Sequence, residues 1–163
     1  MAKHNFDAAI EKGLSDGVKS LERKKSIINI IDEYRASLES VLARKCSKKV
    51  SVQFHPPHGN TVCLSEILAP SRSWAQEEET SSSSLSANVD GSNEWFEILR
   101  YEVDPMTGYP CSIISCDDNV ACSNEAQLVS CLQNVAVKRG MYIADKLDGV
   151  LRSEPDEAER NNR

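Results

Sequence analysis

The chain has no run of eighteen apolar residues, little aromatic content at 6%, and three histidines among 163 residues. The first absence argues against a membrane-spanning helix, which needs about twenty consecutive apolar positions. The second leaves the basic clusters Arg23-Lys24-Lys25 and Arg44-Lys45-Lys48-Lys49 without interleaved rings on which bases would stack, so nucleic acid is not the expected partner. The third confines imidazole chemistry to His4, His55 and His58, far in sequence from the cysteine-rich second half. A phosphate loop, a dinucleotide fingerprint, a nucleophile elbow and a metalloprotease helix are all missing as well. The polar opening MAKHNFDAAIEKG lacks the apolar core of a secretory signal, so a cytoplasmic chain with reduced thiols is expected.

What is present fits a globular chain with one core, at 40% hydrophobic and 27% charged residues. The net charge of −6 is unevenly spread. Residues 1–50 hold eleven Lys or Arg against seven Asp or Glu, a net of +4, and the remainder holds eight against eighteen, a net of −10. Such an end-to-end asymmetry can orient a partner or a second copy.

From Phe6 to Leu42 there is no proline, and apolar residues recur at steps of three and four. One set is Phe6, Ile10, Leu14, Val18 and Leu21; the next is Ile27, Ile31, Tyr34, Leu38 and Val41. The spacing predicts one long helix, or two broken near Gly13 and Gly17 or at Arg23-Lys24-Lys25. At 1.5 Å per residue a helix of about 36 residues runs roughly 54 Å, longer than such a domain is wide. Part of it is therefore expected to pack on another chain, with Ile27, Ile31, Tyr34, Leu38 and Val41 as the binding face and a homodimer as the product. Lys24 and Arg35 interrupt any long heptad seam.

Val50–Phe54 alternates with period two and predicts a strand, stopped by the turn His55-Pro56-Pro57-His58-Gly59-Asn60. Thr61–Leu68 is expected to return as its hairpin partner. Residues 71–93, rich in serine and glutamate, are expected to form a disordered loop, with Trp74 its one large side chain. Trp95–Val103 and Tyr109–Cys116 predict two strands joined by the turn Asp104–Gly108, and Val120–Cys122 a short edge strand after Asp117-Asp118-Asn119. Ser123 or Asn124 is expected to cap a helix, with Gln127 placed for a capping box. Gly140, after Lys138-Arg139, leaves open whether one helix or two follow. The tail from Arg152 is charged and expected to fray.

The fold class that results is α+β: a long N-terminal helix, an antiparallel sheet of four to five strands in hairpins or a meander, and a C-terminal helix or helix pair packed on it. Its expected organisation is an N-terminal helical segment over 1–45, an α+β domain over 46–152 and a flexible tail over 153–163.

Two side-chain sets invite chemical readings. Cys46, His55, His58 and Cys63 are the right ligand types for zinc, but their spacing matches no standard finger, so no metal or other cofactor is expected. Cys111, Cys116, Cys122 and Cys131 are expected mainly in the core, since strand alternation sends Cys111 and Cys116 to opposite faces. A non-enzymatic protein-binding accessory protein, an adaptor or inhibitor, is the function expected. The alternatives are a small nucleic-acid module built on the basic N-terminal patch, with or without structural zinc, and a cysteine-dependent enzyme.

Overall fold

A computed structural model describes residues 6–55, 81–115 and 118–151. Helix α1 spans Asp7–Lys45 and is followed by strands β1 (Val50–His55), β2 (Ser81–Val89), β3 (Trp95–Asp104), β4 (Gly108–Ser115) and β5 (Asp118–Cys122), then helix α2 (Glu125–Lys146). The strands lie side by side in chain order as an antiparallel meander, and α1 and α2 touch each other and share one core against the sheet. The expected α+β architecture is the one observed.

Helix α1 is unbroken over 39 residues. Gly13 and Gly17 each cost a helix interior about 1 kcal/mol relative to alanine, too little to stop a proline-free run of this length. It ends where Arg44 and Lys45 complement the negative end of the helix dipole and Cys46 turns extended, donating its N–H to the Leu42 carbonyl at 2.9 Å. Only its second part enters the core, through Ile27, Ile31 and Leu42.

The expected loop over 71–93 is corrected by β2. Residues 71–80 lie outside the described residues, as does the strand expected over 61–68, but Ser81–Val89 is the second strand of the sheet, paired with β1 on one side and β3 on the other. Composition misleads here because each backbone amide of a central strand finds a ladder partner whatever its side chain. Leu85 and Ala87 are fully buried in the core, and Ser84 and Ser86 beside them are buried as well. Ser84 donates its hydroxyl to the His55 carbonyl at 3.2 Å.

Strand β3 carries a bulge. Leu85 faces Leu99 while Ser86 faces Glu97, so Ile98 is an extra residue, and both Ile98 and Leu99 are buried. At the other end of β3 the carboxylate of Asp104 accepts from the Met106 and Thr107 amides at 2.9 and 2.7 Å and from the Thr107 hydroxyl at 2.9 Å. Gly108 closes that turn at φ +82°, where a Cβ would also meet Arg23 and Lys24 of α1 at 3.3 Å.

Helix α2 starts as the sequence indicates. The Asn124 side chain accepts from the Gln127 amide at 2.9 Å, and Gln127 reaches back to accept from the Ser123 N–H at 2.8 Å. It then runs through Gly140 without interruption to Lys146. Past its end, Ser47 donates its N–H and its hydroxyl to the Val150 carbonyl, at 2.6 and 3.0 Å, fastening the end of α2 to the end of α1. The tail over 153–163 lies outside the described residues.

Candidate functional site

The five residues expected to form a binding face are placed mostly inward. Ile27 and Ile31 are 0% and 1% exposed in the protein's own core, and Tyr34 and Leu38 pack half-buried against it. Val41 alone is exposed, at 43%. Four of the five are thus wholly or partly covered by the rest of the same chain.

The apolar set that stays open lies nearer the N-terminus. Every residue from 6 to 19 is exposed, and Phe6, Ile10, Leu14, Val18 and Leu21 are all more than half exposed, Leu14 at 67%. At 100° per residue these five spread over about 120° of the helix surface, centred roughly 100° from the direction of Ile27 and Ile31. A Cβ on Gly13 or Gly17 would meet nothing within 4 Å. This arm joins the domain where Ser20 donates to the Met106 carbonyl and Lys24 to the Pro105 carbonyl. One of the basic clusters, Arg23-Lys24-Lys25, therefore helps to seat the β3–β4 turn. Met106 itself is 76% exposed.

Of the zinc-type set, His58 and Cys63 lie outside the described residues. Cys46 is buried as the last turn of α1 ends, and His55 closes β1 at its other end, its ring 4.5 Å from that of Trp95. Among the described residues no three His, Cys, Asp or Glu side chains are arranged to hold a metal ion.

Cys116 also lies outside the described residues, and its three companions form a buried thiol cluster. Cys111 and Cys122 face each other across β4 and β5, and the Cys122 thiol donates to the Val120 carbonyl at 3.9 Å. Burial pushes the Cys111 thiol up to about 12 and the Cys122 thiol to about 11, and it raises Cys131 as well. A nucleophilic cysteine needs the opposite shift, and all three side chains lie buried in the core. The groove between α2 and β5, about 360 Å³ and lined by Ser115, Val120, Cys131 and Asn134, is edged by the Lys138–Asp118 ion pair at 2.5 Å.

One buried group was missed by sequence reasoning. Arg139, set down as a helix-ending signal beside Gly140, is 8% exposed. Its Nε and Nη2 donate to the Ile98 and Glu97 carbonyls at 2.9 and 3.0 Å, and its guanidinium lies 4.1 Å from the centre of the Tyr142 ring. The i, i+4 stripe Leu128, Leu132, Val135, Arg139 and Ile143 holds the only available signal: a charged residue standing in an apolar row.

Among the described residues no helix is long and apolar enough to cross a membrane. Compared with family models, curated proteins and solved structures, the chain matches none.

Proposed function

We propose that this protein is a non-enzymatic binding protein of the cytoplasm, an adaptor or inhibitor that works by masking or bridging a protein partner. The observation that supports this is the arm of α1: an exposed apolar stripe, Ile10, Leu14, Val18 and Leu21, held out from a folded domain that has no use for it in its own core. Solvent-exposed leucine and isoleucine in a contiguous row lower the free energy of a chain only when something covers them. The free thiols of Cys111, Cys122 and Cys131 fit a reducing compartment.

The test places a photo-crosslinking phenylalanine analogue at position 14 in the cells that make the protein. Light-dependent adducts to a protein chain, lost when the analogue is moved to an off-stripe position such as Ser15, are the expected outcome. An arm that yields no adduct from position 14 overturns the proposal.

A further inference from the structure

We infer that the stripe on α1 is covered by the same stripe of a second copy, the two arms lying antiparallel about a two-fold axis through Val18. This rests on the proposal above that the arm is a contact surface, and it names the occupant.

The charges carry the argument. Glu11, Val18 and Lys25 stand seven residues apart, on one flank of the stripe. Glu11 and Lys25 are equidistant from Val18 and opposite in sign. In a parallel pair this flank would meet the opposite flank of the partner, which carries Gly13, Ser20 and Ile27 and no charge to answer Glu11 or Lys25. In an antiparallel pair the same flank meets itself reversed, so each Glu11 comes level with Lys25 of the other copy, twice over.

The apolar positions agree with that register. Leu14, Leu21 and Ile28 form one seven-residue row, and Ile10, Gly17 and Lys24 the adjoining one. With Val18 facing Val18 across this flank, the seam rows run two residues out of step with it, which brings Ile10 of one copy against Ile28 of the other and Leu21 against Gly17. Ile28 is part-buried, leaving some of it to be reached, and Gly17 has open space where a side chain would stand, so the opposing leucine can approach the backbone. The one mismatch, Lys24 level with Leu14, is relieved because Lys24 already sends its ammonium to the Pro105 carbonyl. Covering both stripes removes on the order of 1,000 Å² from water, near the lower bound for a specific interface.

Sedimentation equilibrium on the full chain and on Glu11→Lys, Lys25→Glu and the double variant tests this. The wild type is expected to be a dimer, each single reversal to weaken it roughly three- to tenfold, and the double reversal to return it to within about twofold of wild type. Circular dichroism on each variant verifies an intact helix. A dimer indifferent to both single changes, or not recovered in the double variant, overturns the register. A strict monomer overturns the second copy as occupant, while adducts from position 14 to some other chain would leave the arm standing as a contact surface.

Discussion

The Arg139 Nε donates to the carbonyl of Ile98 at 2.9 Å, and Ile98 is the residue that the β3 bulge adds to the sheet. A bulge leaves a carbonyl outside the ladder, and one turned toward a core needs a donor there. α2 supplies it at a position where its stripe would otherwise present an aliphatic side chain. The neighbouring Glu97 carbonyl is taken by the same guanidinium at 3.0 Å, and Tyr142 stacks beneath it.

Arg139→Met keeps the length of the side chain and removes the donors, stranding two carbonyls. A loss of about 2–4 kcal/mol in unfolding free energy is expected, measured by urea denaturation. Arg139→Lys should lose less, since one ammonium can still serve a carbonyl but cannot fork to two.

Stability should fall as the solution becomes alkaline. Burial raises Tyr34 to about 12 from its ordinary 10.0, and raises Cys111 and Cys122 from 9.0 to about 12 and about 11. Each of these groups holds its proton more tightly folded than unfolded. Their contribution is therefore whole below pH 9 and is lost progressively as pH rises toward the folded values. Thermal melts between pH 8 and pH 11 check this; a Tm flat across that range would contradict it. Over the same window the thiols of Cys111 and Cys122 should resist iodoacetamide until denaturant is added.

The acid limb has a different origin. Hydrogen bonds from Thr107 and Met106, with Lys24 nearby, hold the Asp104 carboxyl below its ordinary 3.8. A lowered carboxyl stabilises the fold above its unfolded value, and that contribution disappears as pH falls through the folded one. Thr107→Val, which removes the hydroxyl donor, should move the acid unfolding midpoint to higher pH and loosen the turn that seats α1.

The two apolar sets of α1 should respond oppositely to truncation. Ile31→Ala opens a cavity in the shared core and is expected to cost about 2–4 kcal/mol at any protein concentration. Leu14→Ala in dilute monomer should change stability by less than about 0.5 kcal/mol. Its effect should grow with protein concentration, because only association buries that side chain.

Local chemistry made much of this fold legible along the chain. The length of α1 follows from a proline-free run with apolar residues at helical steps, the Asp104–Gly108 turn from its residues, and the start of α2 from Asn124 and Gln127. These features depend on neighbours within a few positions, which any stretch of sequence displays. What lay beyond it required partners distant in the chain. Ser81–Val89 is a strand because β1 and β3 flank it, and a serine run carries no mark of that. Helical spacing identifies two apolar faces on α1, Phe6–Leu21 and Ile27–Val41, without saying which one the sheet will take. The tertiary structure decided: the sheet lies against the second, so Ile27 and Ile31 became core and the first was left exposed. Arg139 was settled in the same way, since its burial has a reason only once the bulge at Ile98 stands opposite it.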